Sequence, residues 1–279
     1  MSALKLNVES LNVRFVNGKK VMHAVRDVSF TLGREKLAIV GESGSGKSTV
    51  GRSLLKLHPG SAQITANALQ FGDVDLLSAS EKAMQKIRGQ RISMIMQDPK
   101  YSLNPVVRVG DQIAEAYLAH HKASRSEARE RVLQMLDKVH IRDPKRVYNL
   151  YPHEVSGGMG QRIMIAMMVI TNPEVIIADE PTSALDVSVR QQVLNVLEEL
   201  VVEQQMGLIF VSHDLNLVRN YCDRVLVMYA GRVVESLAAS DLHRAEHPYT
   251  RGLLAALPSM DNRRPRLPVL QRDPLWLSC

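Results

Sequence analysis

The amino-acid sequence predicts an α/β protein that includes an antiparallel β subdomain and is interrupted by an all-helical insertion. Three observations support this fold class. The first residues alternate apolar and polar side chains, as strands with one buried face do. Short apolar runs then alternate with helical segments in two separate parts of the chain. Between these parts, residues from about 106 to 161 carry only helical spacing.

The first predicted strand contains a change of phase. Apolar residues alternate up to Val8, and after a slip the alternation resumes with Leu11, Val13 and Phe15. The letters NGKK that follow are a hairpin turn signal. A second strand is therefore expected up to about Leu32.

The next segments predict the start of the α/β core and then the insertion. A short buried strand is expected at KLAIV, and a helix at STVGRSLLKL, which the letters HPGS end. Further strands are expected near ALQF and ISMIM. In the insertion, GDQIAEAYLAHH and SRSEARERVLQMLDKV have helical spacing. Ser126, with Arg129 and Glu130 behind it, is the candidate cap of the second of these helices.

Strand–helix alternation returns from Val175. The predicted order is a strand at VIIA, a helix from about Ser188 to Gln205, a strand at LIFV, a helix from Asp214 and a strand at RVLVMY. A short helical segment follows Pro248. The last residues, 259–279, are basic and proline-rich, and we expect them to run irregularly over the surface.

The composition bounds the function only loosely. A net charge of +6 fits a nucleotide, an anionic membrane surface or an acidic partner, and it equally fits a solubilising surface charge. Aromatic residues make up only 4%, which argues against a stacking surface for single-stranded nucleic acid. The two cysteines, Cys222 and Cys279, are too few for a disulfide framework, and Cys222 is expected to be buried. The longest apolar run, residues 163–170, is far shorter than the roughly 18 to 20 residues that span a bilayer, so the chain is expected not to cross a membrane by itself.

The clearest chemical motif is a glycine-rich loop with the letters GESGSGKST. It matches the pattern G-x-x-x-x-G-K-[ST] between an apolar strand and a helix, which is the context that a phosphate-binding loop requires. Its glycines let the backbone N–H groups wrap a phosphate, Lys47 places a cation between the outer phosphates, and Ser48 can ligate Mg²⁺. The candidate nucleotide-binding residues are Gly41, Glu42, Ser43, Gly44, Ser45, Gly46, Lys47, Ser48 and Thr49.

Two further motifs bear on the same chemistry. In VIIADEPTSALD, an apolar strand ends at Asp179 and Glu180. Asp179 is placed to hold Mg²⁺, and Glu180 can reach an attacking water as a general base, although the pattern alone also fits an acidic strand end at a turn. The letters SGGMGQR, which begin at Ser156, form a helix start that is shaped to hold an anion.

Taken together, these residues resemble the ATP-binding subunit of ABC transporters. The resemblance covers the chain from about Leu4 to Pro258, with the motifs in the order of the family. They are the P-loop at 41–49, the glutamine loop at Gln97, the signature VSGGM at Val155–Met159, the Walker B strand at Val175–Asp179 followed by Glu180, the D-loop SALD at Ser183–Asp186, and the switch histidine His213.

The resemblance implies roles for these residues. Two such subunits face each other head to tail, and each ATP lies between the P-loop of one chain and the signature helix start of the other. The signature residues Ser156, Gly157 and Gly158 then bind the γ-phosphate on the partner's nucleotide. The implied catalytic residues are Glu180 and His213, the implied Mg²⁺ ligands are Ser48, Gln97 and Asp179, and the remaining implied nucleotide contacts are Phe15, which would stack on adenine, and Asp186. For Phe15, core packing is the alternative. For His213 the alternative is a surface or capping residue, and for Gln97 it is a glutamine at a strand end without a ligand.

The sequence departs from the commonest form of the signature, LSGGQ. Val155 and Met159 replace its first and last residues. Because Ser156, Gly157 and Gly158 remain, phosphate binding should survive. Met159 lacks the side-chain donors of glutamine, which puts only a secondary contact in doubt.

Several stretches resemble the oligopeptide, dipeptide and nickel importer branch of the family. They are MIMQDPKYSLNP, YPHEVSGGMGQR, TSALDVSVRQQ, VLVMYAGRVVE and EHPYTRGLLAALP. The resemblance implies one ATPase domain over residues 1–258, with a RecA-like core at about 1–105 and 162–235 and a helical insertion at about 106–161. Many relatives end in a cysteine-rich extension, whereas the tail here holds only Cys279, so no iron–sulfur cluster is expected.

The branch also implies partners. They are two transmembrane permease subunits, a second ABC ATPase chain that is either a paralogue or another copy, and an extracytoplasmic solute-binding protein; no nucleic acid is implied. The stretches Arg91–Pro105 and Val106–Asp143 should contain the permease docking surface. The chain would then lie at the cytoplasmic face of a bacterial inner membrane and power import of a small, peptide-like solute.

Other ABC ATPases remain alternatives. DNA-repair members need a long coiled coil between P-loop and signature, for which this chain has no room. Ribosome-acting members carry two cassettes in one chain. An accessory ATPase of a soluble enzyme complex, of the carbon–phosphorus lyase type, stays open, and a separate exporter subunit is a further possibility.

Overall fold

The computed structural model describes residues 5–183, 185–257, 273 and 276, with the side chains of Lys100 and Tyr101 left out of the description. The chain forms two compact units, one containing residues 1–78 and 209–279 and the other residues 79–208. The predicted irregular tail at 259–279, including Cys279, lies outside the described residues except for Asp273 and Trp276.

The strands and helices follow one another in an order that mixes both types throughout. The strands are β1 (Leu6–Asn17), β2 (Lys20–Leu32), β3 (Lys36–Val40), β4 (Ala62–Thr65), β5 (Ala68–Phe71), β6 (Val74–Asp75), β7 (Ile92–Ile95), β8 (Val175–Asp179), β9 (Gly207–Ser212), β10 (Arg224–Tyr229) and β11 (Arg232–Ala238). The helices are α1 (Lys47–Leu54), α2 (Glu81–Gln85), α3 (Pro99–Ser102), α4 (Val109–Leu118), α5 (Arg125–Lys138), α6 (Pro144–Tyr148), α7 (Gly157–Val169), α8 (Val187–Glu203), α9 (Leu215–Tyr221) and α10 (Pro248–Ala255). Short 3₁₀ turns cover Pro152–Glu154 and Ala239–Arg244.

The first unit contains an antiparallel sheet built around β1. This strand pairs with β2 along its length and with β4 and β5 on its other side, and β6 extends the sheet beyond β5. The predicted change of phase in β1 is confirmed, because the register shifts between Val8 and Leu11 and Ser10 has φ +51°. This irregularity rotates the strand, so Val8, Leu11 and Val13 are all buried on one face.

The first unit also carries the parallel strands from which the glycine-rich loop emerges. Here the strand order is β11-β10-β3-β9, with β10 parallel to β3 and antiparallel to β11. Residues 37–40 of β3 are completely buried, which explains the continuous apolar run that the sequence shows there. Cys222, just before β10, is buried as expected.

In the second unit, a parallel strand pair and a group of helices pack by themselves. β7 pairs in parallel with β8, from Ile92 opposite Val175 to Ile95 opposite Ala178. Helix α4 packs on α5, α6 and α7, and its close approach to α6 depends on Gly110, where a Cβ would lie 2.2 Å from the Tyr148 ring. The predicted α/β fold class with an antiparallel part and an all-helical part is confirmed by these elements.

The predicted cap of α5 was wrong. Ser124, not Ser126, is its N-cap: the Ser124 hydroxyl accepts a hydrogen bond from the Glu127 N–H, and the Glu127 carboxylate accepts one from the Ser124 N–H. Ser126 lies inside the first turn. The pair Ser124 and Glu127 satisfies two N–H groups at once, which a cap at Ser126 followed by Arg129 could not do.

Gly160 provides a stability test within helix α7. A Cβ on this buried residue would meet Pro99 at 3.6 Å and Val155 at 3.9 Å, which are ordinary contact distances. Because glycine inside a helix costs about 0.5–1 kcal/mol relative to alanine, Gly160→Ala should raise the free energy of unfolding by about that amount. Urea unfolding measures it, with Gly110→Ala as the contrasting variant that must destabilise. A lower urea midpoint for Gly160→Ala would contradict the packing described for α7.

Within the residues that the structure describes, no helix has both the length and the apolar character that crossing a bilayer requires.

Candidate nucleotide-binding site

The glycine-rich loop follows the carboxyl end of β3, and its shape depends on glycine. Gly41, Gly44 and Gly46 have φ values of +149°, +80° and +100°. A Cβ on Gly41 would lie 2.2 Å from the Met228 carbonyl oxygen, and one on Gly46 would lie 2.5 Å from that of Ala24. The loop therefore takes a path close to neighbouring backbone that only glycine permits.

The interior of this loop contains polar groups that fit a phosphate. The Lys47 ammonium is nearly buried and donates to the carbonyl oxygens of Gly41 and Glu42, each at 2.8 Å. Helix α1 begins at Lys47, with Gly46 as N-cap and no side-chain cap. The first N–H groups of the helix therefore point toward the loop. Among the described side chains, the buried Ser45 hydroxyl is one of few without a hydrogen-bond partner. A buried cation, the N-terminal end of a helix and an unsatisfied hydroxyl are groups that favour a bound anion.

Gly46 and Gly44 form a matched pair for testing this geometry. Gly46→Ala would place a methyl group against the Ala24 carbonyl, a backbone atom that cannot move aside, and should cost about 3 kcal/mol of unfolding free energy. A Cβ on Gly44 meets nothing within 4 Å, so Gly44→Ala should cost only about 1 kcal/mol from its positive φ. Urea unfolding and ADP titration of both variants check this. Equal losses would show that contact with Ala24 does not shape the loop.

The other candidate residues of the first unit lie outside the loop. Phe15 in β1 is half-buried, with its ring 5.5 Å from that of His58 in an edge-on arrangement. Burial is the main cause that lowers the pKa of His58, so its neutral form is favoured beside Phe15. His213 is exposed directly after β9, ahead of Asp214, whose carboxylate caps α9 through the Leu217 N–H.

One contact to the loop was missed by the sequence analysis. The backbone N–H of Glu42 donates to the hydroxyl of Tyr249 in α10, at 3.0 Å. Tyr249 lies in EHPYT, which belongs to one of the stretches that resemble the oligopeptide, dipeptide and nickel importer branch. The stretch that contains Tyr249 was therefore visible in the sequence, but its contact with Glu42 is seen only in the folded structure.

In the second unit, three of the candidate residues follow the strand ends at one edge of the parallel strand pair. Ile95 ends β7 opposite Ala178 of β8. Gln97 follows two residues after Ile95, and Asp179 and Glu180 follow Ala178, so all three come off the carboxyl ends of adjacent strands. Asp179 is buried, Glu180 is half-buried and Gln97 is exposed.

The backbone of Glu180 adopts an unusual conformation. Its φ is +48°, which non-glycine residues rarely adopt. The Glu180 carbonyl accepts hydrogen bonds from both the N–H and the hydroxyl of Ser183, each at 3.2 Å, which fixes the turn after β8. Residues held in such strained backbone conformations concentrate at functional sites.

Helix α7 begins within the signature, where the sequence predicts a helix start. Ser156 is the N-cap of α7, and its hydroxyl accepts the Met159 N–H at 3.3 Å. Ser156 and Gly157 are exposed, so the N-terminal end of this helix is accessible. Gly158 lies against α8, since a Cβ there would come within 2.4 Å of the Val189 Cγ1.

Asp186, a candidate nucleotide contact, is the N-cap of α8. Its carboxylate accepts the Val189 N–H at 3.0 Å and the Ser188 hydroxyl at 2.8 Å. The hydrogen bond from the Val189 N–H is the first cause that holds the pKa of Asp186 below its usual value, followed by that from Ser188. Val189 thus contacts both Asp186 and Gly158, and the structure brings these two candidate segments together.

A cleft of about 230 Å³ connects the glutamine loop with the signature. The cleft residues are Asp98, Pro99, Leu103, Pro152, Val155, Ser156, Gly157, Gly160 and Leu185.

Within the described part of the chain, no group of three or more His, Cys, Asp or Glu side chains could hold a metal ion.

The fold and the loop define a class: an α/β protein with a phosphate-binding loop between a buried parallel strand and a helix. The protein family described as ABC transporter matches residues 25–183, which is more than half of this chain. The chain belongs to this family, and it is an ATP-binding and ATP-hydrolysing subunit of an ABC transporter.

Curated relatives extend the match to nearly the whole chain. The dipeptide transport ATP-binding protein DppD of Bacillus subtilis is 46% identical over 259 residues, covering 92% of this chain and 77% of that protein. The glutathione import ATP-binding protein GsiA of Shigella boydii is 46% identical over 263 residues, covering 91% of this chain and 42% of that protein.

Solved structures agree in fold. The dimeric ATP-binding cassette MJ0796 in a post-hydrolysis state with ADP and Pi has a TM-score of 0.75 at 25% identity, covering 84% of this chain and 98% of that chain. CbiO1 of Clostridium perfringens, part of the transporter complex CbiONQ, has a TM-score of 0.74 at 27% identity, covering 86% and 91%.

Proposed function

We propose that this chain powers the import of a small, peptide-like solute through an ABC permease. The observation that carries the proposal is the 46% identity to a dipeptide transport ATP-binding protein, which extends over 92% of this chain. A 46% identical glutathione importer subunit supports the same solute class. Both solutes are small and contain peptide bonds.

The nucleotide would be held by residues 41–49 through its phosphates. Lys47 supplies the cation, and the N–H groups at the start of α1 supply donors that favour an anion. Phe15 would contact the adenine. His213 would hydrogen-bond the γ-phosphate, and Glu180 would accept the proton of the attacking water.

Magnesium would be held by Ser48, Gln97 and Asp179. These side chains supply oxygen donors, the type that Mg²⁺ prefers, and Mg²⁺ usually keeps water and phosphate ligands besides a few protein ones. When bound, Mg²⁺ would neutralise charge on the outer phosphates.

The signature helix start would complete the site of a second chain. Ser156 and Gly157 are exposed at the N-terminal end of a 13-residue helix, where the N–H groups and the helix dipole favour an anion. Asp186 is tied to the same place through Val189. A head-to-tail pair of ATPase chains would bring this end to the γ-phosphate on the partner.

The further partners would be two permease subunits and an extracytoplasmic solute-binding protein. The chain would attach peripherally to the cytoplasmic face of a bacterial inner membrane by its stretches 91–105 and 106–143. Whether the second ATPase is a paralogue or a second copy is decided by the experiment below.

A tagged chain, purified from gently solubilised membranes of its native cell, tests the proposal. We expect two polytopic membrane proteins and an ATPase chain to copurify, and we expect deletion of the gene to abolish uptake of a labelled dipeptide. Complementation with Glu180→Gln is the matched control, since it should restore the complex without restoring uptake. Recovery of soluble enzymes alone, with unchanged uptake, would instead support an accessory ATPase.

A further inference from the structure

Hydrogen bonds tie the phosphate-binding loop to neighbouring parts of the first unit. The Gly231 N–H donates to the Ser45 carbonyl at 3.0 Å. The Glu42 N–H donates to the Tyr249 hydroxyl at 3.0 Å. The first tie joins two backbone groups, whereas the second depends on one side-chain oxygen. The Tyr249 hydroxyl therefore helps to fix the position of the first part of the loop.

Tyr249 is itself held firmly. It is completely buried, and its N–H donates to the ring nitrogen Nδ1 of His247, the N-cap of α10. The start of α10 is fixed to β11 because the Glu235 carboxylate accepts the N–H groups of Glu246 and His247. The hydroxyl therefore reaches the loop from a rigid support.

An aromatic group surrounds the Tyr249 ring. Its centroid lies 4.7 Å from that of Tyr229 and 6.0 Å from that of Trp276, and Tyr229 and Trp276 are 5.6 Å apart in an edge-on arrangement. Trp276 also lies 5.8 Å from the His247 ring and is nearly buried. A residue near the end of the chain thus packs on the side chain that holds the loop.

We propose that Tyr249 is a positioning residue for the phosphate-binding loop and that Trp276 supports it, so that nucleotide affinity depends on this C-terminal aromatic group. The physical reason is preorganisation. The Gly41 and Glu42 carbonyl oxygens accept from the Lys47 ammonium, so a shift of Glu42 also moves the cation that faces the phosphates. Without the hydroxyl, the loop would populate other conformations, and the apparent affinity for the nucleotide would be reduced in proportion to the fraction of chains whose loop remains in the binding conformation.

The proposal rests on the assignment of residues 41–49 as the phosphate cradle. The test compares ADP dissociation constants of the full-length chain by calorimetry. Tyr249→Phe keeps the ring and removes the hydroxyl, and we expect ADP affinity about three- to thirtyfold weaker, as for a partly buried N–H that loses its partner. Tyr229→Phe is the matched control in the same aromatic group, and it should bind ADP as the natural chain does.

Readouts other than affinity separate positioning from folding. Tyr249→Phe should keep a urea midpoint close to that of Tyr229→Phe, and hydrogen exchange of the Glu42 amide should accelerate. Trp276 is the only tryptophan, so its emission in the natural chain should change on ADP saturation without any substitution. Trp276→Ala should weaken ADP binding, and Trp276→Phe should restore most of it.

Two results would overturn the proposal: unchanged ADP affinity in Tyr249→Phe, or equal weakening in Tyr249→Phe and Tyr229→Phe. A change that appears only as a lower urea midpoint would likewise show a purely structural role. Lys47→Ala distinguishes this failure from failure of the cradle assignment. If Lys47→Ala binds ADP normally, the cradle is elsewhere; if it loses ADP while Tyr249→Phe does not, only the role of Tyr249 is wrong.

Discussion

Replacement of Glu180 by glutamine should lower ATP turnover about 10²- to 10⁴-fold and leave ATP binding intact, because an amide cannot accept the proton of the attacking water. Glutamine has nearly the same size, so the turn that Ser183 fixes at the Glu180 carbonyl is expected to persist. Glu180 follows β8 directly, is half-buried and has a positive φ. An uncleaved ATP should then keep the two chains of a dimer together.

The measurement is single-turnover hydrolysis at high protein concentration, since a chain without its partner holds only half of each proposed site. Size-exclusion with light scattering should show about twice the 31.1 kDa chain mass for Glu180→Gln with ATP, and the single mass without nucleotide. The exposed Glu130 in α5 provides the control, and Glu130→Gln should hydrolyse normally. Near-normal turnover in Glu180→Gln would refute the general-base assignment.

Replacement of Ser156 by glutamate should abolish turnover while the same chain still binds ADP at its own P-loop. The new carboxylate would stand at the N-terminal end of α7, where the γ-phosphate of the partner's nucleotide is proposed to bind. Two unit charges about 4 Å apart repel by about 4 kcal/mol at a surface-like effective dielectric, which corresponds to a loss of roughly 10²- to 10³-fold. Ser156→Thr keeps a neutral capping hydroxyl and should retain most activity.

Mixing separates the two halves of the site. Ser156→Glu has an intact P-loop, and Lys47→Ala has an intact signature, so a mixed head-to-tail dimer contains one complete site. Two inactive chains should therefore regain part of the turnover when combined. If Ser156→Glu instead lost ADP binding in its own P-loop while the partner's site stayed active, the head-to-tail arrangement would be wrong.

The sequence predicted elements best where one physical signal dominates. In β1 even the irregularity could be predicted from the alternation, because the buried residues have even numbers up to Val8 and odd numbers from Leu11 onward. The cap of α5 was wrong because two serines lie close together, and the reciprocal bonds of Ser124 and Glu127 decide between them. β11 was not predicted at all, since its residues are only partly buried and lack clear alternation.

For the candidate site, local motifs were readable and long-range contacts were not. Asp179, Glu180 and Gln97 could be placed at strand ends from the sequence, but their common edge depends on the pairing of β7 with β8. The bond between Glu42 and Tyr249 joins residues more than two hundred positions apart, and no periodicity encodes such a contact. The N-cap role of Asp186 was not predicted, because the D-loop resemblance implied that this residue contacts the nucleotide.

The packing of Val189 against Gly158 has an evolutionary consequence. A methyl group at position 158 would overlap the branched side chain at 189, which also stands one turn inside the helix that Asp186 caps. A larger residue at position 158 therefore fits only if the side chain at position 189 becomes smaller. Among descendants of this chain, a larger residue at 158 should be found together with a smaller one at 189, and the two codons should change as a pair.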